Sequence, residues 1–171
     1  MLGKNRDFLL KTSGQRYEIA VFLLLKLVSN KLPRAAMIDF DAARKNMVDG
    51  QIHTASVVNP HILDSFSRIP RELFVPEKQR DISYVDECIN IGQGRYLMEA
   101  VVLARLLQAA EPKQDNVALV VGSDSGYSCA ILSTLVSTVI AVEDRKRHLD
   151  RAARAFEKLD ICNIATFEKP I

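Results

Sequence analysis

The stretch Val117–Leu132, VALVVGSDSGYSCAIL, has the residue types of a strand, a glycine-bearing turn and a helix start. Such a turn exposes backbone N–H groups and the positive end of a helix dipole, an arrangement that binds nucleotide-like ligands. Gly122 and Gly126 would let a ligand approach the backbone closely. We therefore expect a cofactor-binding turn here, and the alternative is a tight turn that binds nothing.

A carboxylate stands where the next strand is expected to end. Glu143 lies 21 residues after Gly122, which is the usual position of an acid that accepts hydrogen bonds from ribose hydroxyls. The alternative is that Glu143 only caps the helix that follows it.

The glycine spacing bears on which cofactor the turn would hold. The nicotinamide pattern GxGxxG needs glycines at 122, 124 and 127, but Asp124 and Tyr127 occupy the last two positions. The methyltransferase pattern GxGxG needs glycines at 122, 124 and 126, and two of the three are present. Asp124 then stands at the middle glycine, and Val120 stands where the methyltransferase strand usually carries an acid. The spacing thus favours a methyltransferase loop with two departures.

Strands and helices alternate from residue 113 onward, which predicts a parallel sheet with crossover helices. The predicted strands are NVALVV, TVIAVE and one beginning in CNIATFEKPI, and the helices are SCAILSTLV and RKRHLDRAARAFEKL. We expect NVALVV to be buried. The apolar stripe of the last helix is expected to comprise Leu149, Ala152, Ala153, Phe156 and Leu159. Three strands are fewer than a doubly wound sheet normally has, so the sheet is expected to be incomplete.

Residues 37–112 are expected to be mainly helical. Asp39 is a candidate N-cap for a helix with Gly50 near its end, and Asn59 with Pro60 starts a second. The remaining predicted elements are the connector IPRELFVPE with a short helical turn, the strand-like CINIGQGRYL ending in a Gly92/Gly94 turn, and the helix MEAVVLARLLQAAE.

Six motifs from Met37 onward resemble those of the protein-L-isoaspartate O-methyltransferase family, in the family's order. They are MVDGQI, IPRELFVPE, SYVDE, IGQG, GSDSGY and AVE ending at Glu143. IPRELFVPE is the most specific of them. The resemblance implies a Rossmann-like methyltransferase fold, S-adenosylmethionine as the cofactor, and a protein or peptide substrate bearing isoaspartate.

The resemblance also implies roles for particular residues. The implied cofactor-binding residues are Gly122, Ser123, Asp124, Gly126, Tyr127 and Glu143, and the implied substrate-side loop is Gly92, Gln93 and Gly94. Met98 stands at the family's active-site serine, and Ala100 stands at a family proline. A methionine cannot donate a hydrogen bond, so no catalytic residue is assigned.

The family continues beyond the third strand to a seven-stranded sheet. We therefore expect residues 113–171 to be the first half of the cofactor domain, preceded by residues 37–112 on the substrate side, in a chain truncated at its C-terminus. The missing strands would leave an open apolar edge that favours association. The alternative function is a degenerate, non-catalytic homologue that acts at most as an interaction module.

Composition limits the possible partners and setting. Residues 1–36 carry a net charge of +5 and the remainder −3, so the body lacks the basic face of a nucleic-acid-binding protein. The three cysteines form no CxxC pair or zinc pattern, which indicates a reducing, cytoplasmic setting without a metal site. His53, His61 and His148 are expected at the surface or its boundary.

Residues 1–36 form an extension of unclear role. The segment joins basic residues to the apolar run YEIAVFLLLKLV, which is too short to cross a bilayer. A surface helix, an extension ahead of a start at Met37, a signal peptide and a membrane-surface anchor are the hypotheses left open.

Overall fold

The first helix of the described part of the chain, residues 38–171 of the computed structural model, begins as predicted. The Asp39 carboxylate accepts a hydrogen bond from the backbone N–H of Ala42 at 3.0 Å. Helix α1 covers Phe40–Met47 and continues as a π-helical turn over Val48–Ile52. The prediction for residues 1–36 lies outside the described residues.

Helix α2 covers Pro60–Arg68 and confirms the second predicted start. The Asn59 side chain accepts hydrogen bonds from the first backbone N–H groups of the helix, and Pro60 occupies its first position, where no N–H is needed. A single 3-10 turn at Arg71–Leu73 lies in the predicted connector. A second 3-10 segment covers Glu77–Ile82.

The strand-like piece predicted near residue 90 is an antiparallel hairpin. Strand β1, Ile89–Gly92, pairs with β2, Arg95–Leu97, across a turn whose residues 92, 93 and 94 all have positive φ. Helix α3 follows at Ala100–Ala110 and ends ahead of Pro112. The sequence pattern predicted the first strand and the turn but not the return strand, because three residues are too few for a periodic pattern.

A three-stranded parallel sheet forms the second half of the described chain, as predicted. Its order is β3-β4-β5, with α4 after β3 and α5 after β4. The bounds are β3 Val117–Val121, α4 Tyr127–Ser133, β4 Thr138–Glu143, α5 Lys146–Lys158 and β5 Ile164–Glu168.

The two faces of this sheet differ in burial. Val139, Ala141 and Glu143 are buried on the face that packs against the crossover helices. The opposite face carries Leu119 at 63% exposure. The expectation that NVALVV is a buried strand was therefore wrong. Within residues 38–171 β3 pairs with β4 alone, so the predicted open apolar edge is present.

An aromatic cluster joins the helical half to the sheet half. The Tyr127 ring lies 6.1 Å from the Phe66 ring and 5.5 Å from the Phe74 ring, measured between centroids. Phe74 also lies 6.3 Å from Phe156 of α5. These rings form the centre of one core, which fixes the β3–α4 turn against the helical region.

Helix α5 corrects two predictions made from its sequence. Ala155 is buried and Ala153 is exposed, so the apolar stripe is shifted by part of a turn. His148 is 1% exposed, whereas it was expected at the surface or its boundary. His53 and His61 are exposed, as expected. None of the helices in the described residues is long and apolar enough to span a membrane.

Candidate functional site

The turn between β3 and α4 is held by backbone hydrogen bonds to the neighbouring strand. The N–H groups of Gly122 and Ser123 both donate to the Val142 carbonyl, at 2.9 and 3.1 Å. Gly122 has a φ of +70°, and an added Cβ would meet no atom closer than 3.7 Å. Its glycine is therefore needed for the backbone conformation, and the side chains of Arg95 and Ile171 lie in van der Waals contact with the added position.

Gly126 has a different physical role. Its φ is +89°, and an added Cβ would lie 2.6 Å from Cζ of Phe156 and 2.7 Å from Cβ of Ala152. The glycine therefore allows α5 to pack directly against the start of α4. Contact with α5 is sufficient to require this glycine, whether or not a cofactor binds.

Glu143 lies beneath the turn and is fully buried. Its Oε2 accepts a hydrogen bond from the Asp124 N–H at 2.8 Å. Its Oε1 accepts from the N–H groups of Asp144 and Arg145, both at 3.1 Å. A carboxylate that binds three backbone N–H groups holds the turn and the start of α5 in one arrangement.

Arg95 of β2 reaches across to this turn. Its guanidinium lies 3.0 Å from Asp144, 3.6 Å from Asp124 and 3.7 Å from Glu143, measured between nitrogen and carboxylate oxygen. One of its nitrogens lies 3.7 Å from where a Cβ of Gly122 would be. The hairpin therefore places a cation directly over the glycine of the candidate cofactor turn.

The Asp124 carboxylate is poorly satisfied in this position. Its side chain is 25% exposed, and its Oδ1 is buried without a hydrogen-bond partner among the described residues. Burial, together with the charges of Glu143 and Asp144, raises the pKa of Asp124 to about 6, although Arg95 acts in the opposite direction. The residue keeps a φ of +51°, which an aspartate tolerates better than most side chains.

A cavity of about 240 Å³ lies between the turn and the segment that follows the hairpin. Its wall contains Tyr96, Leu97, Met98, Leu103, the end of β3, Gly122, Ser123, Asp124, Tyr127 and Ser128. Ser123 is 3% exposed, and its hydroxyl has no partner among the described residues. The cavity thus brings four of the predicted cofactor residues together with Met98.

A second cavity of about 460 Å³ has in its wall Asp144, the carboxylate that contacts Arg95. Asp144, Glu168 and the last three residues line it, and the Ile171 side chain comes within 3.8 Å of the added Cβ position at Gly122. Ligand sites usually have several hundred Å³. The glycine turn and the 240 Å³ cavity beside it fit part of an elongated cofactor, and the rest of such a molecule would displace the Arg95 and Ile171 side chains from above Gly122.

Met98 forms part of the cavity wall and is 40% exposed. Its carbonyl oxygen accepts a hydrogen bond from the fully buried guanidinium of Arg71, whose Cζ lies 4.7 Å from the Tyr127 ring centroid. Arg71 also donates to the Ser83 carbonyl at 2.8 Å. The arginine of the IPRELFVPE motif therefore fixes the position of the cavity wall through backbone and aromatic contacts.

The predicted substrate-side loop lies at the tip of the hairpin. An added Cβ would meet nothing within 4 Å at Gly92 or Gly94, and neither residue lines the 240 Å³ cavity. Gln93 has a φ of +56° and is exposed. The part of the hairpin that reaches the cavity is Tyr96 and Leu97 of its second strand, and Met98 follows them in the cavity wall.

Sequence reasoning missed Arg95 and Arg71 as functional candidates. Arg95 directly follows the Gly92–Gly94 turn, but nothing local indicates that its side chain crosses to residues 49 positions further along the chain. Arg71 lies within the most specific motif, and its burial without a carboxylate within 4.0 Å, among the described residues, is a tertiary feature.

Solved structures confirm the fold that these elements form. A protein-L-isoaspartate O-methyltransferase superposes with a TM-score of 0.64 and 22% identity, covering 73% of this chain and 41% of that chain. A putative enzyme of the same name from Plasmodium falciparum, in complex with S-adenosyl-L-homocysteine, gives a TM-score of 0.59 and 19% identity, covering 78% of this chain and 64% of that chain. The fold is that of the Rossmann-like S-adenosylmethionine-dependent methyltransferases.

Sequence comparison identifies the family within that class. Residues 42–169 match the family model of protein-L-isoaspartate (D-aspartate) O-methyltransferase. A protein-L-isoaspartate O-methyltransferase of Desulfosudis oleivorans is 37% identical over 72% of this chain and 56% of its own length. Another, from Rhodopseudomonas palustris, is 33% identical over 73% of this chain and 51% of its own length. The chain belongs to this family, and it spans about half the length of these relatives.

Proposed function

We propose that this chain binds S-adenosylmethionine and methylates a carboxylate of an isoaspartyl residue in a protein or peptide. The observation that carries the proposal is the cavity between the Gly122 turn and the Tyr96–Met98 segment, in a chain of this family. When bound, S-adenosylmethionine would supply a methyl group whose bond to the sulfonium breaks as an ionised carboxylate oxygen forms the ester, with S-adenosylhomocysteine as the leaving group. The protein must therefore mainly align the two groups and exclude water.

The turn residues are proposed to hold the cofactor. Gly122 has no side chain, so a ligand that displaced the Arg95 and Ile171 side chains would contact its backbone, and Ser123 is proposed to contact the ligand from the cavity wall. Asp124, Gly126 and Tyr127 complete the proposed set. A carboxylate has about four acceptor sites, and Glu143 uses three for backbone N–H groups. Because Glu143 is fully buried, its proposed hydrogen bond to a ribose hydroxyl requires the turn to shift and expose the fourth site.

The remaining proposals concern the residues on the substrate side and the cellular compartment. Residues 37–112, with the Gly92–Gly94 hairpin tip, are proposed to face the substrate, and residues 113–171 are proposed to form the cofactor half. The Met98 thioether lacks a proton to donate, so backbone groups would orient the carboxylate. All three cysteines are free thiols, which supports a reducing, cytoplasmic setting.

Calorimetric titration of S-adenosylmethionine into the full chain tests cofactor binding. Methyl transfer from labelled cofactor to a peptide containing one isoaspartate tests the activity, with the aspartate peptide as the control substrate. We expect binding and isoaspartate-dependent labelling. Gly122→Val should abolish both, because its branched side chain would enter the cavity at a positive φ. A chain that is folded but binds no cofactor would contradict the proposal.

The second candidate function is that of a non-catalytic homologue. Met98 at the family's serine position and the Arg95 guanidinium over Gly122 favour it. This candidate predicts that the isoaspartyl peptide binds without being labelled, even at saturating cofactor. Labelling that depends on Gly122 would exclude it.

A further inference from the structure

The charged side chains around Arg95, beside the 240 Å³ cavity, include more acidic than basic groups. Asp124, Glu143 and Asp144 contribute three carboxylates, whereas Arg95 and Arg145 contribute two guanidinium groups within 4.0 Å of them. Glu143 is satisfied by backbone N–H groups, and Asp144 contacts both arginines at 3.0 and 3.4 Å. The uncompensated charge therefore falls on Asp124.

Asp124 is also the member of this group that lines the 240 Å³ cavity. Its closest cation is the Arg95 Nε at 3.6 Å, and no donor reaches its buried Oδ1 among the described residues. The raised pKa of its carboxyl is consistent with this shortage of partners. The adjacent Ser123 hydroxyl, buried in the same wall, is a second polar group without a partner. Asp124, whose side chain is 25% exposed, is thus the acid that a ligand in this cavity would meet.

We propose that Asp124 makes the cleft selective for the positively charged form of the cofactor, so that S-adenosylmethionine binds more tightly than S-adenosylhomocysteine. The proposal rests on the proposed function and concerns how that site discriminates charge. Both ligands carry the same amino-acid ammonium and carboxylate, so the difference between them isolates the sulfonium. A carboxylate that lacks donors gains from a nearby cation in a partly dehydrated cavity, whereas a neutral thioether gives it nothing.

Arg95 acts in this scheme as the cation that the protein itself supplies. Its guanidinium lies over Gly122, where it neutralises part of the Asp124 charge. A sulfonium entering the cavity would meet an Asp124 whose charge is already shared. Removing the Arg95 charge should therefore increase the preference for the cationic ligand, and removing the Asp124 charge should decrease it.

The test is calorimetric titration of both ligands into the 171-residue chain at pH 8. We expect the wild type to favour S-adenosylmethionine about tenfold, Asp124→Asn to bring the ratio of dissociation constants close to one, and Arg95→Gln to raise it several-fold. Asp115→Asn is the matched control, because Asp115 is an exposed acid at the opposite end of β3. Sinefungin, which carries an ammonium in place of the sulfonium, separates charge from contact with the methyl group and should follow S-adenosylmethionine.

Two contrary results have different meanings. If both ligands bind and Asp124→Asn leaves the ratio unchanged, the charge selectivity is overturned and the cofactor site stands. If neither ligand binds to any folded variant, the proposed function is overturned and the selectivity with it.

Discussion

At the scale of single residues, two carboxylates at the same turn have opposite environments. Glu143 is buried and accepts three backbone N–H groups, whereas the Oδ1 of Asp124 accepts none. Hydrogen bonds to a charged acceptor are stronger than neutral ones. Glu143 therefore stabilises the turn, and Asp124 lowers its stability when it is ionised.

Glu143→Gln should destabilise the fold by about 2–3 kcal/mol, because one of its oxygens would be replaced by an amide that cannot accept a hydrogen bond. Urea unfolding with a circular dichroism signal measures the change. Glu157→Gln is the matched control, because Glu157 is exposed on α5 and its substitution should change stability by less than about 0.5 kcal/mol. Equal stability of the two variants would contradict the structural role of Glu143.

Asp124→Asn should stabilise the chain at pH 8 and not at pH 4. The pKa of Asp124 is raised from 3.8 to about 6 in the fold, so the native state binds more protons than the unfolded state between these values. Stability conferred by the carboxyl is therefore present at low pH and is lost as the pH rises from about 4 to 6. We expect a gain of about 1–2 kcal/mol above pH 6, measured by urea unfolding across the pH range. A gain that is the same at pH 4 and pH 8 would contradict this assignment.

At the scale of elements, the packing of α5 against the β3–α4 turn depends on one missing Cβ. Gly126 faces Phe156 and Ala152 at distances that no real Cβ could keep. Gly50, in contrast, lies in the π-helical turn with nothing within 4 Å of an added Cβ. The two glycines therefore form a matched pair for testing which helix contact is essential.

Gly126→Ala should destabilise the chain by about 2–4 kcal/mol, because overpacking and a strained positive φ both contribute. Gly50→Ala should be neutral or stabilise the chain by about 0.5–1 kcal/mol, since alanine favours the helical conformation. Thermal unfolding of both variants beside the wild type measures the difference. A Gly126→Ala variant as stable as Gly50→Ala would show that α5 does not pack as described.

At the scale of the whole molecule, the sheet has one face covered by helices and one that carries exposed apolar side chains. Exposed on that face are Val117, Leu119, Val121 and Phe167. β3 is also an edge strand within the described residues. An apolar face beside an unpaired edge favours association between chains.

Leu119→Lys should reduce the self-association of the chain, because a charge in the middle of the edge strand, on the exposed face, disfavours burial of that face against a second copy. Sedimentation velocity over a tenfold or wider range of concentration measures the effect. Val58→Lys is the control, because Val58 is 69% exposed but lies in the loop before α2. If both substitutions change association equally, the sheet face has no special role.

The sequence by itself determined the local features and the family. The N-caps Asp39 and Asn59, the order of strands and helices after residue 113, and the glycine turn followed by an acid are all short-range patterns, and the structure contains each of them. These predictions were correct because a helix cap, a periodic apolar pattern or a turn depends on residues within a few positions of one another. The six ordered motifs identified the family for the same reason.

Only the tertiary structure decided how these elements meet. It placed His148 in the core and Ala153 at the surface, exposed the face of β3, and brought Arg95 over Gly122. It also showed that the side chain of Glu143 is committed to three backbone N–H groups. These outcomes depend on contacts between distant segments, such as that between Arg95 and Asp144, which are 49 positions apart, and no local pattern in the sequence encodes them.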